Sequence, residues 1–482
     1  MRVAMFASEM VPYIKTGGLA DVIGSLPRAL SAIGTQIDVF IPYYREIERQ
    51  ELPVTNLQFE FKIKIGSRSY KGTTIKLKTD LPDLTIYFID NYHFFRHRSQ
   101  LYVKNGKDYR DNLARFVFFC RGVLETIKHL SSSTSYDVFH MHDWQTALIG
   151  LYTEVLSFFQ KSTPLRVYTI HNLAYQGKFS RSQFHLLGID SSYYDSLEYW
   201  GKFSLMKAGI LYSDMITTVS PTYAKEIQTK KFGVGLENLL RKNQSKIFGI
   251  LNGVDYSIWN PETDQYLPSN YSSRDLDGKS ICKAAIQQYF LLSENPSIPI
   301  LSVISRLAWQ KGMELVLKVI PRLLEQDRVQ FVLLGVGDPK LEQQFNALTK
   351  QYPSKIGIAL TYNDYLAHQI EAGADILLMP SRYEPCGLND KYSLRYGTVP
   401  IAFKTGGLTD SIIDYTSDSK KGTGFLFESY DEEDFLAAIE CALQVFQSKL
   451  EWSKLMRRGM QQDFSWQNSA NAYFNLYQTR IP

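Results

Sequence analysis

The sequence predicts an α/β protein made of two doubly wound domains. Short apolar segments alternate with longer amphipathic segments, which is typical of parallel strands joined by helices that cover both faces of a sheet. The alternation restarts near residue 297, and a chain of 482 residues is too long for one hydrophobic core. We therefore predict a first domain over residues 1–250, a second over 251–460, and a terminal helix within 461–482 that packs back on the first domain.

The first domain begins with a strand, and an amphipathic helix follows it over about residues 20–33. The third and fourth strand candidates alternate apolar and polar residues with a period of two, which predicts a half-exposed hairpin. A long helical pattern follows the fifth candidate. The strand candidates, in order, are RVAMFAS (2–8), QIDVFIPY (36–43), FEFKIKI (59–65), TTIKLKT (73–79), LTIYFID (84–90), YDVFHMHD (136–143), LRVYTIH (165–171) and SDMITTVS (213–220).

The second domain follows a polar stretch, 262–277, that predicts a loop. Helices are predicted to begin near Gly312 and Leu341, and the segment 464–478 has helical periodicity with no strand after it. Because ligands bind beyond the carboxyl ends of strands in open α/β sheets, we expect the active site in a cleft between the domains. The strand candidates are IPILSVISRL (298–307), VQFVLLGVGD (329–338), KIGIALT (355–361), ADILLMPS (374–381) and TVPIAF (398–403).

Composition excludes several classes of protein. The formal net charge is only +4 and there is no long Lys/Arg block, which argues against a partner that is nucleic acid or a membrane surface. No apolar run approaches the roughly 20 residues that span a bilayer. The start of the chain is typical of a strand rather than a signal peptide. The four cysteines are widely scattered, so we expect no zinc knuckle or disulfide framework and a reducing, cytoplasmic location.

The loop KTGGLADVIG (15–24) separates the first strand from the first helix. Gly17 and Gly18 let backbone amides approach a ligand closely, Lys15 adds a positive charge, and Asp21 lies where a helix begins. The loop matches neither the Walker A pattern nor the dinucleotide fingerprint. On spacing alone, it is either a phosphate cradle or a glycine turn with a solvated lysine.

Two segments of the second domain suit a phosphorylated sugar. SRLAWQKG (305–312) places Arg306 and Lys311 just beyond a strand, where they either bind a diphosphate or are a pair of surface cations. SRYEPCGLNDKYSLRYG (381–397) carries Glu384 and Gly387 before a helical pattern, an arrangement that can hold sugar hydroxyls and phosphate. Cys386 is interpreted as a small buried thiol, because no histidine lies nearby in sequence to activate it.

The histidines suggest an alternative from another class. In HMHDW (140–144), His140 and His142 share one face of a strand, Asp143 follows them, and His171 ends another strand candidate. These residues are compatible with the metal site of a hydrolase, although no further cluster of ligands completes it.

Seven motifs that occur in order resemble those of the bacterial glycogen synthase and plant starch synthase family. The resemblance covers essentially the whole chain. It is most specific in the pairing of Lys-Thr-Gly-Gly-Leu near the start with Glu-Pro-Cys-Gly-Leu downstream. The motifs are KTGGLADVIGSLPRAL, MHDWQTALIGLY, YTIHNLAYQG, TTVSPTYAKEI, LNGVDYSIWNP, SRLAWQKGMELV and the segment from PSRYEPCGLND to KTGGLTDSI.

The resemblance implies two Rossmann-like domains facing a cleft, the GT-B architecture, and a retaining glucosyltransferase. It implies transfer of glucose from ADP-glucose to the non-reducing-end 4-hydroxyl of an α-1,4-glucan, so the expected partners are ADP-glucose and a glycogen or malto-oligosaccharide acceptor. No metal and no cofactor are implied, in keeping with cations that can neutralise a leaving diphosphate. Retention without an obvious nucleophile suits a same-face substitution in which the leaving phosphate takes the acceptor proton.

Matching positions carry the family's roles to residues of this chain. Arg306 and Lys311 would hold the phosphates, Glu384 the glucose hydroxyls, and Asp143 with His171 the glucose pocket. Tyr362 would pack against the base, and Glu9 would lie near donor and acceptor. The remaining donor-site residues implied are Lys15, Gly17, Gly18, Asp21, Asn252, Gly387, Leu388, Asn389, Thr405 and Gly406.

The chain departs from the family pattern at two places. The family usually has Thr-Gln after Glu-Pro-Cys-Gly-Leu, where this chain has Asn389 and Asp390, followed by Lys391. Asn caps helices as well as Thr does, but a charged Asp facing a phosphate would repel it, so we predict that Asp390 points away. Leu360 and Thr361 stand where glycine is usual. The alternatives that remain open are a retaining glycosyltransferase with another acceptor and a catalytically weak glucan-binding relative.

Overall fold

The computed structural model describes residues 1–98, 100–104, 107–131, 134–156, 158–159 and 164–479. The chain divides into two compact units. The first comprises Met1–Gly253 together with the chain from Trp466 onward, and the second is Val254–Ser465.

The first unit is built on a nine-stranded sheet within the described residues, in the order β14-β13-β9-β8-β1-β2-β5-β4-β3. Its pairs are parallel from β14 to β5, and β4 pairs antiparallel with both β5 and β3. The strands are β1 (Arg2–Phe6), β2 (Gln36–Pro42), β3 (Val54–Ile65), β4 (Arg68–Lys78), β5 (Leu84–Asp90), β6 (Val103–Lys104), β7 (Lys107–Asp108), β8 (Val138–His142), β9 (Leu165–Ile170), β10 (Lys178–Ser180), β11 (Glu198–Tyr199), β12 (Lys202–Ser204), β13 (Met215–Thr218) and β14 (Ile247–Gly249).

Helices cover this sheet because their apolar faces need burial. In the first helix, Leu19, Val22, Ile23 and Leu26 are buried at helical spacing. The helices of the first unit before the junction are α1 (Gly18–Ala32), α2 (Arg45–Glu48), α3 (Asn112–Leu130), α4 (Asp143–Thr146), α5 (Leu148–Val155), α6 (Tyr194–Leu197), α7 (Leu205–Leu211), α8 (Pro221–Glu226) and α9 (Glu237–Lys242).

The predicted hairpin is confirmed as β3 and β4. Along the last turns of β3, Phe61, Ile63 and Ile65 are buried while the lysines between them are exposed, as the period of two requires. The small antiparallel sheet β10-β12-β11 was not predicted, because its strands have only two or three residues each and show no apolar run.

The second unit contains a six-stranded sheet in which every pair is parallel, in the order β17-β16-β15-β18-β19-β20. Its strands are β15 (Ile300–Ile304), β16 (Gln330–Leu334), β17 (Ile356–Ala359), β18 (Ile376–Met379), β19 (Val399–Phe403) and β20 (Phe425–Phe427). Its helices are α10 (Asp277–Tyr289), α11 (Met313–Leu324), α12 (Pro339–Gln351), α13 (Asp364–Gly373), α14 (Asn389–Arg395), α15 (Gly406–Ser411), α16 (Glu432–Phe446) and α17 (Lys449–Met460).

Both sheets have a switch point at which the strand order reverses. In the first unit it lies between β1 and β8, and in the second between β15 and β18. The predicted α/β class with two Rossmann-like units is confirmed. Ligands bind at such points because the connections diverge there and leave a crevice beyond the carboxyl ends of the strands.

The last helix, α18 (Trp466–Gln478), belongs to the first unit. It packs on α1. Ser469 Oγ donates to the carbonyl oxygen of Leu251 at 2.6 Å, and Tyr477 is fully buried. Within the described residues, none of the helices combines the length and apolar character needed to cross a membrane.

Candidate functional site

A cavity of about 210 Å³ lies at the switch point of the second unit. It opens beyond the carboxyl ends of β15 and β18, where the polar side chains that follow those strands meet. Six of the residues singled out from the sequence are brought together here. They are Arg306, Lys311, Glu384, Gly387, Leu388 and Asn389.

Lys311 and Glu384 form an ion pair in this cavity, with Lys311 Nζ 2.5 Å from Glu384 Oε2. Ser381 Oγ donates to the same oxygen at 3.0 Å. Gly312 allows the approach, since its backbone is left-handed at φ +69 and an added Cβ would lie 1.9 Å from the carbonyl oxygen of Pro380. Only glycine therefore fits where the loop carrying Lys311 passes the end of β18.

Arg306 also lines the cavity, and its side chain is exposed. Its guanidinium makes no ion pair or hydrogen bond with the residues that the structure describes. Five N–H donors on a planar fork are thus available to an anionic ligand.

Asn389 differs in role from the helix cap that the sequence predicts. The residue before α14 is Leu388, and Asn389 is the first residue of the helix. The Asn389 side-chain amide donates to the carbonyl oxygen of Ile304 at 2.6 Å, which ties the start of α14 to the end of β15. Asn389 therefore braces the wall of the cavity.

Asp390 and Lys391 are fully buried and do not line the cavity. Asp390 Oδ2 accepts a hydrogen bond from Ser411 Oγ and lies 3.4 Å from Lys391 Nζ. Asp390 therefore points away from the cavity, the orientation that the sequence analysis predicts. Burial raises the pKa of Asp390, with Lys391 and Ser411 opposing the shift.

Tyr362, Thr405 and Gly406 lie outside the residues that line this cavity. Tyr362 precedes α13, and its side chain is 69% exposed. Thr405 is buried and is the residue that precedes α15. Gly406, the first residue of that helix, has a left-handed backbone at φ +46. The start of α15 is linked to Glu384, because the N–H of Gly407 donates to the Glu384 carbonyl oxygen at 3.0 Å.

In the first unit, the side chain of Glu9 holds the glycine loop, residues 15–18, by hydrogen bonds from the protein interior. Its buried carboxylate accepts hydrogen bonds from the N–H of Thr16 at 2.5 Å and of Gly17 at 3.3 Å, and from Thr16 Oγ1. Tyr102 donates to Glu9 Oε1 at 3.1 Å. Burial raises the pKa of Glu9, and the hydrogen bonds from Thr16 limit the rise. Glu9 thus acts as the internal support of the loop.

Lys15 pairs with Asp21, whose Oδ1 lies 2.8 Å from Lys15 Nζ. An added Cβ on Gly17 or Gly18 would meet no described atom within 4 Å. The protein interior therefore does not require glycine at these positions, and the space beside them is open to a ligand that approaches the backbone closely.

Asp143 and His171 lie together beyond the ends of β8 and β9. Asp143 has a left-handed backbone at φ +56, which Asp adopts more readily than most residues, and Oδ1 accepts from the N–H of His171 at 2.9 Å. Desolvation raises the pKa of Asp143 to about 7 and lowers that of His171 to about 3. The imidazole is therefore neutral at physiological pH.

The neighbouring histidines, His140 and His142, form hydrogen bonds within the protein. His142 Nδ1 lies 2.9 Å from His171 Nε2, and His140 Nε2 lies 2.6 Å from Thr169 Oγ1. Tyr477, from α18, bonds His140 Nδ1 at 2.8 Å. Over the described ranges, no three His, Cys, Asp or Glu side chains form a group suited to a metal ion.

Asn252 is buried near the end of Met1–Gly253, the longer of the two segments that form the first unit. Its Oδ1 has no hydrogen-bond partner among the described residues. A buried amide oxygen without a partner is uncommon in proteins and marks a position that a ligand can satisfy.

Three side chains that support these sites, Ser381, Tyr102 and Tyr477, were not predicted from the sequence. Ser381 carried a signal, since it lies two residues after the end of β18. Tyr102 and Tyr477 carried none, because they lie 93 and 337 residues from the partners they contact, Glu9 and His140.

Two family descriptions match the chain. "Starch synthase catalytic domain" matches residues 2–242, and "Glycosyl transferases group 1" matches residues 291–454. Glycogen synthase 2 of Geobacter sulfurreducens is 42% identical over 483 residues, covering 99% of this chain and 98% of its own. The glycogen synthase of Koribacter versatilis is 42% identical over 487 residues with the same coverage.

The chain belongs to the glycogen synthase and starch synthase family. The family expected from the seven motifs is thus confirmed, and with it the enzyme class, because its members are glycosyltransferases.

Solved structures agree with the assignment to this family. The catalytic domain of starch synthase IV from Arabidopsis thaliana, bound to ADP and acarbose, matches with a TM-score of 0.90 at 34% identity and covers 99% of both chains. Sucrose-phosphate synthase from Thermosynechococcus elongatus has a TM-score of 0.59 at 17% identity, covers 99% of this chain and 98% of its own, and shares the fold alone. The GT-B class predicted from the family motifs is confirmed.

Proposed function

We propose that this protein is an ADP-glucose-dependent α-1,4-glucan synthase. It transfers glucose, with retention of configuration, to the 4-hydroxyl at the non-reducing end of glycogen or a malto-oligosaccharide. The observation that carries the proposal is the cavity of the second unit, where two cations and a carboxylate converge at a switch point in a chain 42% identical to glycogen synthases.

The cavity residues suit a nucleotide sugar. Arg306 supplies a planar guanidinium and Lys311 a point charge for the two phosphates, and Gly387 and Leu388 line the same space. Glu384, held by Ser381 and Lys311, binds hydroxyls of the donor glucose. The exposed ring of Tyr362 stacks on the base, while Asn389, Thr405 and Gly406 shape the donor loops.

The first unit supplies the groups for the sugar and the acceptor. Gly17 and Gly18 present backbone to the donor, with Lys15 and Asp21 beside them. Glu9 supports that loop from inside. In this proposal, three more residues of the first unit surround the transferred glucose, namely Asp143, His171 and Asn252.

The reaction needs no protein nucleophile in this proposal. The bond from C1 of glucose to the phosphate oxygen breaks while C1 bonds to the acceptor O4 on the same face. The proton of the acceptor hydroxyl passes to the departing phosphate of ADP. Arg306 and Lys311 stabilise the negative charge that grows on that phosphate, the kind of electrostatic stabilisation that contributes most to many enzymes.

The test is transfer of radiolabelled glucose from ADP-glucose to glycogen by the purified full-length protein. We expect label in the polymer, its release by an enzyme specific for α-1,4 linkages, and no loss of activity with EDTA. ADP-glucose is expected to give a higher kcat/KM than UDP-glucose, measured side by side. Equal rates with the two donors would contradict the donor assignment.

The same assay separates the alternatives. Release of ADP without label in glycogen, but with label in another carbohydrate, would identify a different acceptor. Glucan binding without turnover of ADP-glucose would identify a catalytically weak relative. Loss of activity with EDTA would reopen the question of a metal site.

A further inference from the structure

Lys391 is a fully buried lysine whose ammonium donates hydrogen bonds to the backbone of the loop that precedes α14. Its Nζ donates to the carbonyl oxygen of Gly387 at 2.6 Å and to that of Cys386 at 3.3 Å. Gly387 and Leu388 line the cavity, whereas Lys391 does not. The lysine therefore reaches the loop from the interior, on the side opposite the ligand space.

The charge of Lys391 is balanced by Asp390, which is also fully buried. Ser411 Oγ donates to the same carboxylate oxygen that faces Lys391, which holds the carboxylate in place. Asp390 Oδ1 lies behind Gly387, because an added Cβ on Gly387 would be 2.3 Å from it. The Lys391–Asp390 pair therefore packs directly against Gly387, to whose carbonyl oxygen Lys391 donates a hydrogen bond.

The bond to the Gly387 carbonyl sets the orientation of the next amide. The peptide between Gly387 and Leu388 is trans, and in a planar trans peptide the C=O and N–H point in opposite directions. A carbonyl held inward by Lys391 leaves the N–H of Leu388 directed away from that ammonium. This N–H makes no hydrogen bond with the part of the chain that the structure describes.

We propose that the buried Lys391–Asp390 pair is a positioning element of the donor site, which turns the Leu388 N–H toward the diphosphate of the bound nucleotide. The inference rests on the proposed function, because the ligand is a nucleoside diphosphate. Lys391 is a positioning residue, since it acts through the backbone and touches no ligand itself.

The pair gives this chain a device that the usual family pattern, with Gln in place of Asp390, does not provide at this point. An ammonium and a carboxylate buried side by side hold a carbonyl more firmly than a neutral side chain does, because a hydrogen bond to a charged group is stronger. A loop held in its binding orientation loses less conformational entropy when the nucleotide binds.

The test is binding of ADP to the full-length protein by isothermal titration calorimetry, with thermal melting followed in parallel. Lys391→Met is expected to raise the Kd for ADP by about tenfold or more, the loss typical of one hydrogen bond to a charged group. The double variant Asp390→Asn/Lys391→Met is expected to recover melting temperature, since no unpaired charge remains buried, while its Kd stays raised.

Lys283→Met is the matched control. Lys283 is also buried and paired with an aspartate, Asp375, at 2.8 Å, but at the end of β18 remote from the cavity. It is expected to lower the melting temperature and leave the Kd for ADP within about twofold of the parent.

A double variant that binds ADP as tightly as the parent would overturn the proposal, because stability and affinity would then have recovered together. The double variant also supplies this result if Lys391→Met alone does not fold. A parent protein that binds no ADP would refute both the positioning role and the donor assignment. Unaltered affinity in the variants of an ADP-binding parent would refute the positioning role alone.

Discussion

Lys311 and Glu384 neutralise each other across the cavity of the second unit, 2.5 Å apart. One comes from the loop between β15 and α11 and the other from the loop after β18, and their side chains are only 19% and 10% exposed. A change at either residue therefore leaves a poorly solvated charge behind. A change at Arg306, which has no such partner within the described residues, does not.

Lys311→Ala is expected to lower kcat/KM for ADP-glucose more than Arg306→Ala does. Each variant loses a cation near the developing phosphate charge, a change typically worth about 10²–10³ in kcat. Only Lys311→Ala also leaves Glu384 unpaired. Steady-state kinetics of both variants, with thermal melting to show that each is folded, provide the comparison. Near-normal activity in either variant would remove that residue from the proposed role.

Glu384→Gln is expected to reduce turnover strongly and to leave ADP binding in place. The amide keeps an oxygen for Ser381 and Lys311 but loses the charge that orders the donor hydroxyls. Turnover of ADP-glucose and calorimetric binding of ADP separate the two effects. A covalent glucosyl adduct on Glu384, detected by mass spectrometry, would show instead that this residue is a nucleophile.

Asp143 is expected to make the protein less stable as pH rises from about 4 to about 7. The pKa of Asp143 is about 7 in the folded protein and near the usual 3.8 in the unfolded chain. Between these two pH values, the carboxyl group is protonated in the folded form and ionised in the unfolded form. Stability falls with rising pH wherever the folded state binds more protons than the unfolded state. The cost of the buried charge is fully present above pH 7 and absent below pH 4.

Asp143→Asn isolates this contribution from those of other carboxyl groups. Asn tolerates the left-handed backbone and keeps an oxygen for the N–H of His171. The free energy of unfolding, measured by urea denaturation at several pH values, is expected to fall less steeply in the variant between pH 4 and pH 7. Parallel curves for the two proteins would contradict the raised pKa.

Asp390→Asn is expected to destabilise the fold by about 3–5 kcal/mol, the cost of leaving one partner of a buried ion pair without the other. Burial alone lowers the pKa of Lys391, but Asp390 and Cys386 raise it above its usual value, so the lysine stays charged. Denaturant unfolding measures the loss. Glu451→Gln, which breaks the exposed pair with Lys454, is the control and is expected to have little effect. Equal effects of the two changes would contradict the pairing.

The sequence allowed the strands and the residues at their ends to be predicted, because buried parallel strands are apolar runs bounded by polar residues. Arg306, Lys311 and Glu384 lie in the loops that follow β15 and β18, and the topology brings them to one edge of the sheet. Helix α10 was predicted as loop at its start, since the polar stretch before it runs without interruption into its first residue, Asp277.

The orientation of individual side chains, and the contacts between residues that are far apart in sequence, could not be predicted. Lys15 and Asp21 suggest two ligand contacts in sequence, yet they form an ion pair with each other. Glu9 holds its own loop from inside. Such outcomes depend on where a side chain points after folding. The contact between Tyr477 and His140 joins residues 337 positions apart, and no local pattern encodes it.

The second unit is an insertion within the first. Its ends adjoin, as the N–H of Val254 donates to the carbonyl oxygen of Phe464 at 2.7 Å and Val254 forms a bridge with Ser465. During synthesis from the amino end, the ribosome therefore completes the second unit before it makes α18. The first unit, although begun earlier, is finished later, when Tyr477 emerges to meet His140. A nascent chain released before α18 would carry a whole second unit and an unfinished first one.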